Sequence, residues 1–189
     1  GDWDGARAAF LRALDLDPDL AVAVYGLVED ALQQNDLDEA ASILGARCER
    51  IYWDDQAHAV LGEILLRSGQ EQGAMLAFGN SLEAWPEQPD VLSRLGGLLL
   101  SSGRPRDSVR AFALATEIAP GRAGDHGSLA AAYLELGDLG AAREALVEAR
   151  RLGLDELDLS VLQARVALAD GRPSEALGLL NGLSAEADL

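Results

Sequence analysis

The sequence predicts an all-α fold of repeated helix pairs, and two observations support this prediction. Turn-forming residues recur at a fixed interval of 34 residues, as in the series Gly69, Gly103, Gly137 and Gly171. A fixed period of this size is typical of stacked units that bury their apolar faces against their neighbours. The composition agrees, because 49% hydrophobic but only 5% aromatic residues favours Ala- and Leu-rich helices over a sandwich or barrel.

Each period contains two segments with helical spacing of apolar residues. In the second segment Ala74 and Phe78 lie four residues apart on one face, and Pro86 closes the unit. The same phase continues along the chain without an insertion. It predicts a leading half unit over 1–20 and five full units over 21–54, 55–88, 89–122, 123–156 and 157–189.

This pattern resembles the tetratricopeptide repeat, whose 34-residue unit is a helix-turn-helix. The family's Leu-Gly or Leu-Ala place is held by Leu61-Gly62, Leu95-Gly96 and Leu129-Ala130, and Tyr133 supplies its Tyr, although the signature Trp is absent. The resemblance covers nearly the whole chain and implies a right-handed α-solenoid of antiparallel helix pairs. Pentatricopeptide repeats have a similar length, but they bind RNA and are usually basic, unlike this chain.

The predicted repeats form a single superhelical domain over 1–189. Its first segment is a second helix without the first helix of its unit, and its last unit lacks the polar capping helix that repeat arrays normally have. We therefore expect a fragment of a longer protein, or ends that stack on another copy of the chain. Self-association through these open ends follows from the second alternative.

The charge balance restricts the possible partners. All 15 basic residues are Arg, and the 32 acidic residues leave a formal charge of -17. Such a chain repels nucleic acid phosphates and anionic membrane surfaces, and no apolar run approaches the roughly 20 residues of a membrane span. Arg without Lys favours a bacterial source with a GC-rich genome. A cytoplasmic location is favoured and a periplasmic one stays open.

No cluster in the sequence predicts a catalytic residue, a cofactor or a metal ion. His58 and His126 occupy the same position two units apart, about 20 Å by helix packing distances, which is too far for a shared zinc ion; filling of the groove between helices is the favoured role. Cys48 is the only cysteine and fits a buried core position. The segment 15–19 resembles a calcium loop but lacks its Gly and its bidentate Glu.

The resemblance implies that the first helices of the units line a concave surface that holds peptide segments. The repeat register also places Ala131, Asp158 and Leu162 on this surface. No Lys is present to grip a C-terminal carboxylate as in chaperone-receiving members, so we expect a neutral or basic extended or helical segment instead. The predicted peptide-binding residues are Tyr25, Glu29, Gln33, Gln56, Glu63, Arg67, Arg94, Ser128, Glu135 and Arg165.

The favoured function is a non-catalytic scaffold that binds a protein or peptide partner in this groove. The alternative is a regulatory or substrate-docking segment of a larger enzyme, or of a secretion or assembly machine. An enzyme complete within this chain is disfavoured, because no acid-base or metal-binding set converges.

Overall fold

The structure is a computed structural model that describes the backbone of residues 3–186 and the side chains of residues 5–182. Eleven helices and no strands occur in this part of the chain. They are α1 (Trp3–Leu16), α2 (Ala21–Gln33), α3 (Leu37–Arg50), α4 (Asp55–Arg67), α5 (Glu71–Ala84), α6 (Pro89–Ser101), α7 (Pro105–Ile118), α8 (Ala123–Leu136), α9 (Leu139–Arg151), α10 (Glu156–Ala169) and α11 (Pro173–Glu186).

The helices alternate as first and second members of successive pairs. The first helices are α2, α4, α6, α8 and α10, and the second helices from α3 onward begin at residues 37, 71, 105, 139 and 173, at the interval found in the sequence. The predicted all-α solenoid of helix pairs is therefore confirmed. Among residues 3–186 no helix combines the length and apolar character needed to cross a membrane.

The chain divides into two compact units. Unit 1, Gly1–Glu87, contains α1 to α5, and unit 2, Gln88–Leu189, contains α6 to α11. The assignment of one superhelical domain and its right-handed sense stay predictions. The predicted open C-terminal end includes residues 187–189, and the open N-terminal end includes residues 1 and 2, all of which lie outside the described residues.

Residues with a left-handed backbone conformation follow the ends of the first helices at the repeat interval. Gly69 has a φ of 78°, and Asn35 is the only residue other than Gly with positive φ in the described chain, at 57°. Asn is among the few L-residues that tolerate this conformation, so the substitution keeps the turn. The other turns of this type contain Gly103, Gly137 and Gly171.

Matched side-chain sizes bring the two helices of a pair together. A Cβ atom on Gly62 of α4 would lie 2.5 Å from Cε1 of Phe78 on α5, and one on Gly96 would lie 2.9 Å from Cζ of Phe112. The absence of a side chain at these two glycines provides the space that the phenylalanine rings occupy. At the same place of the next pair stand Ala130 and Leu146, 0% and 3% exposed, so a larger first-helix residue faces a smaller partner.

In the first full helix pair, α2 and α3, a buried ion pair takes the place of a packed small residue. Arg47 occupies a position that is small in the other units, and its Nε lies 2.5 Å from Oδ2 of Asp54. Its Nη1 also donates to the carbonyl oxygen of Asp19 at 3.0 Å. Both side chains of the pair are almost fully buried, so the guanidinium joins the turn before α2 to the turn before α4.

Candidate peptide-binding surface

An open cavity of about 380 Å³ lies between α8 and α10, two first helices of unit 2. Several residues that the repeat register places on the first-helix surface are brought together there, including the predicted Ser128. The cavity is lined by Gly124, Gly127, Ser128, Ala131, Leu154, Asp158, Val161 and Leu162. We call it the first-helix cavity.

Small residues on α8 create the space in the first-helix cavity. A Cβ atom on Gly124 would meet no atom within 4 Å, whereas one on Gly127 would lie 3.0 Å from Cδ2 of Leu154. Leucine and valine side chains supply an apolar wall, and Asp158 is the one charged residue in the lining. The cavity is thus suited to an uncharged or cationic group attached to an apolar side chain.

An ion pair joins the same two helices further along. Nη2 of Arg165 on α10 donates to Oε1 of Glu135 on α8 at 2.7 Å, and both side chains are about half exposed. Both residues are predicted binding residues, and the structure brings them together. Their charges compensate each other, so the surface beside the cavity is polar without a strong net charge.

A polar cluster that the sequence did not reveal fixes the start of α8. Asp125 is 6% exposed; its Oδ1 accepts a hydrogen bond from the hydroxyl of Ser93 at 2.7 Å. Arg122 lies 2.9 Å from a carboxylate oxygen of Asp90 and 3.1 Å from one of Asp125. The cluster connects α6 to α8, although the glycines around Asp125 are weak helix formers.

Tyr25, the one aromatic residue predicted for the binding surface, is only half-buried, but its hydroxyl is buried and makes no hydrogen bond within the described part of the chain. The guanidinium carbon of Arg47 lies 5.7 Å from its ring centroid. Burial, reinforced by the charge of Asp54, raises the pKa of Tyr25 to about 12. Its polar end therefore faces the packed interior of unit 1.

The remaining predicted residues lie on three first helices. Glu63 is half-buried on α4, and Arg94 is exposed on α6 of unit 2. Exposed residues of unit 1 are Glu29 and Gln33 on α2 and Gln56 and Arg67 on α4. These side chains are accessible, but none of them lines the first-helix cavity.

The two histidines have matching structural contacts. Nε2 of His58 lies 3.0 Å from the carbonyl oxygen of Tyr52, and Nε2 of His126 lies 3.1 Å from that of Pro120. Each ring thus ties the start of a first helix to the turn before it. Among the residues whose placement the structure describes, no group of three or more His, Cys, Asp or Glu residues could hold a metal ion.

Comparison with known proteins assigns the family. The family model described as "Tetratricopeptide repeat" matches residues 1–56 and 128–188, well over half of the chain. The chain belongs to the tetratricopeptide repeat (TPR) family. No curated protein matches this TPR chain.

Solved structures show the same fold at low sequence identity. YrrB, described as a TPR protein with an unusual peptide-binding site, is 17% identical, with a TM-score of 0.79 over 92% of this chain and 89% of its own. MamA from Desulfovibrio magneticus RS-1 is 18% identical, with a TM-score of 0.77 over 86% and 92%. A TPR protein from Parabacteroides merdae is 16% identical, with a TM-score of 0.80 over 87% and 66%.

Proposed function

We propose that this chain is a non-catalytic scaffold that binds a peptide segment of a protein partner in the first-helix cavity of unit 2. TPR proteins are generally interaction scaffolds, and YrrB is described as having a peptide-binding site. The observation that carries the proposal is the cavity between α8 and α10, which is walled by apolar side chains and contains one carboxylate.

The shape and chemistry of the cavity support a neutral or basic segment. A volume of about 380 Å³ is at the lower end of the range for ligand pockets and accommodates one or two side chains. Leu162 and Val161 offer apolar contact, while Asp158 can accept a hydrogen bond from a peptide N–H or a cationic side chain. No basic residue lines the cavity, so a carboxylate of an acidic segment would meet repulsion from Asp158 without a compensating cation.

Substitution of Gly124 tests this proposal. Because a Cβ atom at this position has open space around it, Gly124→Leu adds an apolar side chain to the cavity without disturbing the core. Gly178→Leu is the matched control, since Gly178 is exposed on α11 and an added Cβ there would also meet no atom within 4 Å. Both changes replace an exposed helical glycine with leucine, so each removes a weak helix former.

An array of short synthetic peptides that vary in apolar content and net charge gives the readout. We expect peptides with an apolar residue beside neutral or basic residues to bind the wild type, with at least a tenfold loss in Gly124→Leu and no loss in Gly178→Leu. Asp158→Asn should weaken the basic peptides more than the neutral ones. Equal peptide binding by wild type and Gly124→Leu would reject the cavity as the site.

A further inference from the structure

Both units have a cavity on the side of the second helices. In unit 1 it lies between α3 and α5 and has a volume of about 350 Å³; in unit 2 it lies between α9 and α11 and has about 500 Å³. The first helix between the two second helices, α4 in unit 1 and α10 in unit 2, forms the floor of each cavity. Equivalent repeat positions line both, as in the pairs Cys48 and Arg150, Leu61 and Gln163, and Ala77 and Leu179.

The cavity in unit 2 differs from its counterpart by its basic rim. Three of the 15 basic residues of the chain, Arg143, Arg150 and Arg172, line it, together with one carboxylate, Glu175. Its floor contains Leu146 and Val166, which are 3% and 4% exposed. We call this site the arginine groove. It concentrates positive charge over an apolar floor in a chain whose formal charge is -17.

The arginines are not equally neutralised. Arg143 and Arg172 share the carboxylate of Asp170, at 2.6 Å and 2.8 Å, and Arg172 also pairs with Glu175. Arg150 instead donates to the neutral side-chain oxygen of Gln163 at 3.0 Å. Within the described chain, its charge has no carboxylate partner in hydrogen-bond range, so it can receive an external one.

We propose that the arginine groove binds an acidic peptide segment that carries an apolar side chain. A carboxylate of the segment pairs with Arg150, since guanidinium groups bind carboxylates with two parallel hydrogen bonds. The neighbouring apolar side chain covers Leu146 and Val166. The volume of about 500 Å³ far exceeds that of a single small anion, which favours a segment with an apolar body.

This site is separate from the one under "Proposed function". The first-helix cavity uses Asp158 and Leu162 of α10, whereas the arginine groove uses Gln163 and Val166 of the same helix. Their linings also have opposite charge, so each should reject the segment that the other binds. A failure of one proposal leaves the other intact, because different variants and different peptides test them.

Fluorescence anisotropy with a labelled peptide that has one leucine flanked by aspartates tests the arginine groove. Arg150→Glu should weaken binding of this peptide at least tenfold. Arg151→Glu is the matched control, because this variant makes the same charge change at the next residue. The side chain of Arg151 is 65% exposed and pairs with Glu148 outside the groove. A second variant, Val147→Glu, places a carboxylate in the groove and should cause a similar loss.

Further measurements distinguish an acidic peptide from other possible occupants of the arginine groove. A peptide with lysines in place of the aspartates should not bind the groove, and binding should weaken as the Debye length falls from about 30 Å in 0.01 M salt to about 3 Å in 1 M salt. The proposal is overturned if the acidic peptide does not bind the wild type, or if Arg151→Glu loses as much affinity as Arg150→Glu. Displacement by inorganic phosphate at the same concentration as unlabelled peptide would also overturn it, since it would indicate a small-anion site.

Discussion

The contact between Gly62 and Phe78 allows a quantitative test of the packing between paired helices. In Gly62→Ala the new Cβ would lie 2.5 Å from Cε1 of Phe78, about 1 Å closer than an ordinary carbon contact. Overpacking of this kind costs about 1–3 kcal/mol, which a gain of up to about 1 kcal/mol in helix propensity partly offsets. The net expectation is a loss of about 1 kcal/mol in the free energy of unfolding.

Replacing the ring should reverse the sign of this effect. In a Phe78→Leu background the ring atoms that conflict with the new Cβ are absent, and Ala130 with Leu146 shows that this combination fits the same place of another pair. Gly62→Ala should then stabilise the protein by about 0.5–1 kcal/mol. The resulting coupling energy, about 2 kcal/mol, lies within the range found for residues in contact.

Urea denaturation of the wild type, both single variants and the double variant measures this coupling. Gly79→Ala is the control for helix propensity, since Gly79 lies on α5 and has no atom within 4 Å of an added Cβ; it should stabilise the protein in either background. If Gly62→Ala has the same effect in the wild type and in the Phe78→Leu background, within about 0.5 kcal/mol, size matching does not determine this contact.

Three other predictions concern charge and burial. Arg47→Ala should cost about 3–5 kcal/mol in the free energy of unfolding, because it leaves Asp54 buried without its partner. Urea denaturation measures this loss. A loss under about 1 kcal/mol, the size expected of an exposed ion pair, would contradict the prediction. Arg165→Ala should change the same quantity by at most about 1 kcal/mol, since its pair with Glu135 is exposed. Burial raises the pKa of Cys48 from 9.0 to about 11, so the unfolded chain ionises first as the pH rises. The stabilising contribution of Cys48 is therefore complete below about pH 9 and is lost as the pH approaches about 11. The free energy of unfolding of the wild type should fall across this range, and a Cys48→Ala variant compared by denaturation should lack the part of that fall that is due to Cys48.

The repeat spacing predicted the fold because it records contacts that recur in every unit. The left-handed turn at Asn35 could be predicted in the same way, since its position is Gly in other units. The contacts of Arg47 could not be predicted, because its partners Asp54 and Asp19 are specific to the first full pair. Asp125 was missed for a similar reason: its partner Ser93 lies on another helix, 32 residues away.

The candidate surface was predictable only in part. Register alone placed Ser128, Asp158 and Leu162 on one surface, and the structure brings them into one cavity. The same reasoning could not tell that the hydroxyl of Tyr25 turns into the interior, because side-chain direction depends on neighbours such as Arg47. The arginine groove depends on side chains from three helices, which the register of the first helices alone cannot bring together.

Mapping of a bound peptide onto the chain by NMR decides whether the first-helix cavity is the binding surface. After the array identifies a neutral or basic binding peptide, the backbone amide signals of ¹⁵N-labelled protein are recorded during its titration. We expect the largest shifts at Ser128, Ala131 and Asp158, which line the first-helix cavity. Shifts confined to α9 and α11, or to unit 1, would contradict the first-helix cavity as the binding surface of this peptide.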